Sequence, residues 1–418
     1  MRFLVVGGGG REHAIADRLR RDAPDAEILA APGNPGMAGI AECVPIDALD
    51  LEALAALAEE RLIDLAVVGP EVPLAAGIVD LFQARGLPIF GPLRAAARLE
   101  SSKAFAKRLM REVGVPTAGF GIFTEAGQAG AHIEDLAPPI VVKASGLAAG
   151  KGVIICGTAA EASRTVGEIL DGGRFGDAGR EVVIEEYLEG EELSVFFITD
   201  GERAIPLVSA RDHKRLLEGD RGPNTGGMGA FAPVAEVESG LVDRVQRSVA
   251  EPVLEALAAS GSPYRGFLYV GLVMTADGPK VLEFNCRLGD PEAQVVLPLT
   301  RAALVEPMLA IARGEGLSDW RPPAPDAFAL VTVLASGGYP DTYRTGMEVL
   351  IPAGLESDSL RIYHAGTASR DGRLVTAGGR VLGVTGIGNS LEQARTLSQT
   401  AAEAIQFEGK HWRRDIGS

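Results

Sequence analysis

The sequence has little cysteine, few aromatics, a minority of basic residues and no long apolar run. Cysteine occurs only at Cys43, Cys156 and Cys286 among 418 residues, with no Cys-x-x-Cys pair. That excludes a disulfide framework or zinc knuckle and fits a reducing, cytoplasmic setting. Aromatics are 5% of the chain, too few for base-stacking platforms to be a theme. Forty Lys and Arg face 56 Asp and Glu, a net charge of −16. This balance argues against nucleic acid or an anionic membrane as the main partner. Asp64, Glu71 and Asp80 interrupt the most apolar stretches, so no membrane span is expected. The apolar run at Phe3–Val6 meets glycines too soon to be a signal peptide. What the chain does have is glycine, 53 residues of it, and 46% hydrophobic residues, ample for packed cores. Its length suggests about two to three domains.

Short apolar runs alternate with helical patterns over the first hundred residues. Phe3–Val6, Ile28–Ala30, Leu65–Val68 and Pro88–Phe90 read as buried strands. Arg11–Arg21, Leu51–Glu60 and Leu74–Ala84 read as helices. This is the pattern of βαβ units around a parallel sheet, whose ligands sit beyond the carboxyl ends of the strands. Three loops leave those ends, at 7–10, 32–36 and 69–71. A helix is expected from Ser101 and Ser102 through Lys103 to Gly114. Strands at Ile140–Lys143, Val153–Cys156 and Glu181–Leu188 with a helix at Glu161–Leu170 suggest a small α+β unit. Strands Leu193–Thr199 and Ala204–Ser209 precede a long loop from Lys214 to Pro233, and a helix is expected over Glu238–Ala259. Gly266–Thr275 and Lys280–Asn285 read as an antiparallel pair. Pro322, Pro323 and Pro325 mark a linker; strands Phe328–Ala335, Arg361–Ala365 and Arg380–Thr385 and a helix Leu391–Ile405 follow it. The expected fold is multidomain, α/β and α+β, divided as 1–100, 101–322 and 326–418.

Several segments carry chemistry. Gly7-Gly8-Gly9-Gly10, between a strand and a helix, suits backbone amides closing around a phosphate. The G-x-G-x-x-G fingerprint fails, because its last position falls on Glu12 or His13, so a nicotinamide site and a hydride-transferring dehydrogenase are disfavoured. Lys143 ends an apolar strand and opens the glycine loop Ser145–Gly152, which includes Gly150 and Lys151. An ammonium there needs an anionic partner, and a nucleotide phosphate is a natural one. The Val183–Ser194 stretch ends in an acidic cluster suited to ribose hydroxyls. On a strand, Glu283, Asn285 and Arg287 share one face while Leu282, Phe284 and Cys286 share the other. Two oxygen ligands and a guanidinium suit a divalent cation bridging phosphates. Asp212-His-Lys-Arg215 and Pro223–Gly229 combine charge with a flexible glycine tract. His213 is there either to act as a base or to orient its neighbours. Metalloprotease and serine-hydrolase motifs are absent.

Taken in order, GGGGREHA, APGNPG, VGPEVPL, ESSKAF, KASGLAAGKGV, VIEEYLEGEE, DHKR, GPNTGGMGA, LEFNCRLGDPE, SGGYP, YHAGT, GGRVLGVT and RRDIG run from end to end of the chain. Together they resemble the phosphoribosylamine–glycine ligase family of the ATP-grasp superfamily. The resemblance implies that ATP phosphorylates glycine and that 5-phosphoribosylamine attacks the acyl phosphate, giving glycinamide ribonucleotide, ADP and phosphate in purine biosynthesis. It implies an N-terminal parallel-sheet substrate domain, a two-part ATP-grasp domain with a mobile ATP-binding subdomain at 118–189, and a small C-terminal mixed α/β domain. Lys103 and Lys143 would hold ATP phosphates under Ser145, Gly150, Lys151 and Gly152. Glu185 would face the adenine amine, Glu186 and Leu188 would lend backbone groups, and Glu192 would take the ribose. Glu283 and Asn285 would bind Mg²⁺, with Mn²⁺ as the alternative, and Arg287 would steady the transferred phosphoryl group. Gly9, Gly10, Arg11, Asn34, Pro70, Glu71, Asp212 and Lys214 would form the phosphoribosylamine side. Asn224, Thr225, Gly226, Gly227, Arg287 and Asp290 would lie near glycine. Its partners would be these small molecules, with transient contact to the enzyme that supplies phosphoribosylamine.

Three positions depart from the family pattern. Ser145 occupies a place usually held by Asp, Gly8 one often held by Asn, and Leu268–Thr275 supplies no carboxylate beside the metal strand. Two other readings compete: a formate- or bicarbonate-using relative, opposed by APGNPG and GPNTGGMGA, and a non-catalytic nucleotide sensor, opposed by the intact Lys143, Glu283, Asn285 and Arg287.

Overall fold

A computed structural model describes residues 1–148, 150–234, 240–317 and 319–418. Its first unit runs β1 (Arg2–Gly7), α1 (Gly10–Asp22), β2 (Glu27–Pro32), β3 (Glu42–Cys43), α2 (Leu51–Glu60), β4 (Leu65–Val68), α3 (Glu71–Ala76), α4 (Ile78–Ala84) and β5 (Ile89–Phe90). The strands form a parallel sheet in the order β3-β2-β1-β4-β5. Phe3, Leu4, Val5 and Val6 are wholly buried, as a strand covered on both faces requires. The helix expected over Leu74–Ala84 is two helices, because Gly77 adopts a left-handed φ of 95° between them. β1, β2 and β4 are parallel neighbours, so the loops at 7–10, 32–36 and 69–71 all open from one edge of the sheet.

Helix α5 (Arg94–Ser101) and helix α6 (Lys103–Glu112) meet at Ser102, whose Oγ accepts the Phe105 amide at 3.2 Å and caps α6. Next come β6 (Phe120–Phe123), α7 (Ala126–Glu134), β7 (Ile140–Ala144), β8 (Val153–Cys156), α8 (Ala159–Leu170) and β9 (Val182–Glu186). They build an antiparallel sheet, β6-β9-β7-β8, with a core of its own that includes Ile133, Ile140, Val142, Val166 and Ile184. β10 (Glu191–Thr199) and β11 (Ala204–Pro206) belong to a third sheet, described below.

The long loop expected from Lys214 to Pro233 contains strands: β12 (Arg211–Asp212) just before it, then β13 (Arg215–Leu217), β14 (Arg221–Asn224) and β15 (Gly229–Ala232). β13 and β14 form a hairpin, while β12 and β15 leave to join strands from beyond the proline linker. Between Gly229 and Pro233, the buried Ala230-Phe231-Ala232 run is too short to read as a strand from sequence. Of the helix expected over Glu238–Ala259, residues 235–239 lie outside the described residues. From Leu241 it continues as α9 (Leu241–Val245), a π-helical turn at Gln246–Ala250 and α10 (Glu251–Ala259).

β16 (Gly266–Thr275) and β17 (Gly278–Asn285) form the expected antiparallel pair and complete the sheet β11-β10-β16-β17. After α11 (Ala293–Leu299) and α12 (Val305–Ala312), the chain forms β18 (Phe328–Ala335), β19 (Leu360–His364), β20 (Thr367–Arg370), β21 (Arg373–Thr376), β22 (Arg380–Gly388) and α13 (Leu391–Ala404). The sheet β12-β15-β18-β22-β19 therefore draws strands from both sides of Pro322–Pro325. Among the described residues, no helix is long and apolar enough to cross a membrane.

Candidate active site

The loops at the edge of the first sheet are tied down by their own side chains. Gly9 donates its amide to Glu12 Oε2 at 2.6 Å, so one amide of the glycine loop is already taken. Arg11 Nε donates to Glu12 Oε1 at 2.7 Å and its Nη1 to the Leu288 carbonyl at 3.3 Å. Asn34 Nδ2 donates to the Gly8 and His364 carbonyls, each at 2.9 Å, while its Oδ1 accepts the Gly36 and Met37 amides. Asn34 thus stitches two loops and the end of β19 together. Gly8 is required here, because a Cβ would run into the Gly33 carbonyl oxygen. An Asn at this position therefore matters in this chain, although amide binding alone would not exclude it.

Pro70 caps α3, and Glu71 opens it. Burial would raise the Glu71 carboxyl, but the nearby Arg287 and Arg11 hold it below its ordinary range. Arg287 Nε meets Glu71 Oε2 at 3.2 Å and Arg287 Nη2 meets Glu100 Oε1 at 2.7 Å. Glu100 also accepts the Cys286 amide at 2.7 Å, and burial pushes its pKa up.

The second cluster lies between α6, β7 and β9. Lys143, expected to need an anionic partner, has one within the chain: its Nζ lies 2.8 Å from Glu185 Oε2. Glu185 is also 3.0 Å from Lys107 Nζ. A strand pattern cannot show this pairing, because Lys143 and Glu185 meet only when β7 and β9 pair. Lys103, half-buried next to them, donates to the Gly146 carbonyl at 3.2 Å; burial lowers its pKa, with Glu283 opposing. Ser145 Oγ accepts the Ala104 amide at 3.1 Å, in the first turn of α6. Gly150 and Lys151 are exposed on the loop that follows. Glu186 accepts the Gly119 amide at 2.8 Å, and Leu188 lies in irregular chain just after β9.

On β17 a bulge at Leu282 shifts the phase, since Gly271 pairs with Glu283 and Leu272 with Val281. Val281, not Leu282, therefore joins Phe284 and Cys286 in the core. The Asn285 amide is assigned with its nitrogen donating to Glu100 Oε1 at 3.1 Å and the Phe284 carbonyl at 3.0 Å. This orientation leaves the side-chain oxygen for another partner. Glu283 makes no hydrogen bond or ion pair among the described residues, while the other carboxylates of the cluster are partnered. A free carboxylate beside an available amide oxygen is a donor set that fits a hard divalent cation completing its shell with phosphate and water oxygens.

Lys214 is paired with Glu192 and lies 3.6 Å from Asp212. Burial alone would lower its pKa, but Asp212 and Glu192 raise it well above the ordinary lysine value. Thr225 donates its amide and its hydroxyl to the Lys214 carbonyl at 2.7 and 2.8 Å. Gly227 has φ 109°, and a Cβ there would lie 2.5 Å from Pro291 Cδ. Asp290 is paired with Arg380 at 3.1 Å, and Arg380 also holds the Gly226 carbonyl. Gly226 donates its amide to the Tyr339 hydroxyl at 2.9 Å. His213 Nε2 accepts the Gly417 amide at 3.2 Å, and burial lowers the His213 pKa to about 4.

The fold thus brings Arg11, Glu71, Arg287 and Asp290 together in one group and Lys103, Lys143, Glu185 and Glu283 in another. Gly10 bridges toward α11, where a Cβ on it would be 2.7 Å from Gln294 Nε2. Asn224 lies on the exposed β13–β14 hairpin. Sequence reasoning missed Lys107, Glu100, Gln294, Tyr339 and Arg380. Lys107 follows Lys103 by one helical turn, a usable signal; Tyr339 and Arg380 lie in the SGGYP and GGRVLGVT segments, which had been given no role.

Comparison with known proteins agrees over the whole length. Residues 1–100 match the N domain of phosphoribosylglycinamide synthetase, 101–293 its ATP-grasp (A) domain and 329–418 its C domain. The chain is 47% identical to phosphoribosylamine–glycine ligase of Allochromatium vinosum, covering 100% of this chain and 98% of that one. It is 46% identical to part of the trifunctional purine biosynthetic protein adenosine-3 of Gallus gallus, covering 100% of this chain and 42% of that one. The crystal structure of phosphoribosylamine–glycine ligase from Thermotoga maritima superimposes with TM-score 0.88 at 37% identity, covering 100% of both chains. A biotin carboxylase domain from Hydrogenobacter thermophilus shares the fold alone, at 18% identity and TM-score 0.76, over 98% of this chain and 91% of that one. The chain belongs to the phosphoribosylglycinamide synthetase family and is an ATP-dependent carbon–nitrogen ligase.

Proposed function

We propose that the protein joins glycine to 5-phosphoribosylamine through glycyl phosphate, with ATP phosphates at the Lys103–Lys143 end of the site and phosphoribosylamine at the Arg11–Glu71 end. The single observation that carries the reading is the Glu283 carboxylate beside Asn285, without a hydrogen bond or ion pair among the described residues, in a cluster where the other carboxylates are partnered. Glu283 and Asn285 would hold Mg²⁺, or Mn²⁺, which when bound neutralises phosphate charge. Lys103 and Lys143 draw the triphosphate against the Ser145–Gly152 loop, whose Gly150, Lys151 and Gly152 close over it. Glu185 meets the adenine amine, Glu186 and Leu188 offer backbone groups, and Glu192 takes the ribose.

A glycine carboxylate oxygen bonds to the γ-phosphorus as the bond to the β,γ-bridging oxygen breaks, releasing ADP. Arg287, fixed by Glu71 and Glu100, stabilises charge on the transferred group without first having to be ordered. The amine nitrogen of phosphoribosylamine then bonds to the acyl carbon, phosphate departs, and the amine loses a proton. Gly9, Gly10, Arg11, Asn34, Pro70, Glu71, Asp212 and Lys214 shape the phosphoribosylamine end. Asn224, Thr225, Gly226, Gly227 and Asp290 shape the glycine end, supported by the Asp290–Arg380–Gly226 linkage. In this reading the protein works in the cytoplasm and receives its labile amine by brief contact with the supplying enzyme.

The test is ADP release with ATP, Mg²⁺, glycine and freshly generated phosphoribosylamine. Release that depends on both substrates is expected. Release only when another carboxylate replaces glycine would overturn the assignment.

A further inference from the structure

Glu185 has two ammonium partners where one would neutralise it. Lys143 Nζ lies 2.8 Å from one carboxylate oxygen and Lys107 Nζ 3.0 Å from the other. All three side chains are almost completely buried. Burying a second ammonium is costly unless it is satisfied and needed. Lys107 is satisfied with care: it donates to Thr117 Oγ1 at 2.6 Å, and Thr117 passes the bond on to the Val281 carbonyl at 2.6 Å. Its neighbour on the same helical face is Lys103, one turn earlier. Lys103 and Lys143 lie toward the proposed phosphate end, whereas Lys107 has no direct place in the reaction described above.

We propose that Lys107 is a positioning residue that keeps Glu185 ionised and in place when ATP phosphates draw on Lys143, and so makes the site select adenine over a 6-keto purine. This inference rests on the reading of Glu185 at the base edge. An ionised carboxylate only accepts hydrogen bonds, so it favours the adenine amine and repels a guanine carbonyl oxygen. A protonated one could donate, and would admit guanine. Burial pushes the Glu185 carboxyl toward protonation, and Lys143 and Lys107 together hold it below its ordinary range. With Lys143 shared with phosphate, Lys107 becomes the deciding charge.

The experiment compares kcat/KM for ATP and GTP in the full-length protein and in Lys107→Met, Thr117→Val and Glu185→Gln, with melting curves for each. The unmodified protein is expected to prefer ATP strongly. In Lys107→Met the ATP-to-GTP ratio is expected to fall by about tenfold or more, through a higher KM for ATP and a lower one for GTP, with the KM for glycine unchanged. A merely structural lysine would lower activity with both nucleotides alike. A folded Lys107→Met with the original ratio would overturn the proposal. Should that variant fail to fold, Thr117→Val decides, since it keeps the charge but removes an anchor: a fall of about threefold is expected, and an unchanged ratio overturns. Glu185→Gln separates the two layers. If it keeps the original ratio, the reading of Glu185 fails; if it loses the ratio while Lys107→Met keeps it, only the role of Lys107 fails.

Discussion

Arg287 and Glu71, 216 positions apart, meet at 3.2 Å and connect the end of the β17 strand to the first helical turn after β4. The guanidinium is held from its other side by Glu100 at 2.7 Å. Two carboxylates therefore fix one cation at the junction between the proposed phosphoryl and phosphoribosylamine ends. Glu71→Gln is expected to leave Arg287 with Glu100 as its one carboxylate partner, beside the Leu288 carbonyl. kcat should drop about tenfold or more, while stability changes by about 1–3 kcal/mol. Steady-state kinetics with a melting curve checks this; an unchanged kcat in the folded variant would remove Glu71 from the positioning of Arg287.

Glu283→Gln should separate activity from stability. Glu283 makes no hydrogen bond or ion pair among the described residues, so its charge can be removed at a cost below about 1 kcal/mol. Turnover, by contrast, should fall at least about a hundredfold, and excess Mg²⁺ should recover only part of it. A near-normal rate in a variant with native circular dichroism would refute the metal role.

Ser145 replaces the Asp usual in the family, and its hydroxyl accepts the Ala104 amide at the start of α6. Ser145→Ala should cost about 1 kcal/mol by leaving that amide unpaired. Ser145→Asp should be neutral or stabilising, because a carboxylate at a helix start beside Lys103 is favourably placed. Thermal melting of the two variants decides; no loss in Ser145→Ala would mean that the bond to the Ala104 amide contributes nothing, and equal loss in both that a carboxylate is not favourably placed there.

Acid should destabilise the protein below neutrality. Burial lowers the pKa of His13 to about 3, with His364 adding to the effect, and lowers that of His364 and His213 to about 4. The unfolded histidines take up protons near 6.5 while the folded ones do not, so stability is complete above that value and is lost as pH falls. Glu292, pushed up to about 7 by burial and by Asp212, acts in the opposite sense but is outnumbered. Melting temperature should decline from pH 7 to pH 5, with a shallower slope in His13→Gln. A flat profile over that range would contradict the neutral burial of these histidines.

Much of the architecture follows from local pattern. Leu51–Glu60, Leu65–Val68 and Phe328–Ala335 form elements with the boundaries that their periodicity predicts. The site was legible as residue types, because Lys143, Glu283, Asn285 and Arg287 sit at strand ends beside glycine loops. Their partners were not. Lys143 meets Glu185 only through sheet pairing, Arg287 meets Glu71 only through packing of distant units, and the bulge at Leu282 changes which side chain is buried without any local mark. β15 escaped for a similar reason: it pairs with β18, about a hundred residues later.

The central claim is that the glycine carboxylate is activated by phosphoryl transfer at this site. Turnover of glycine labelled with ¹⁸O in its carboxylate, followed by mass analysis of the inorganic phosphate, tests it most directly. The account predicts one ¹⁸O atom in each phosphate released. Ligation with unlabelled phosphate would contradict it.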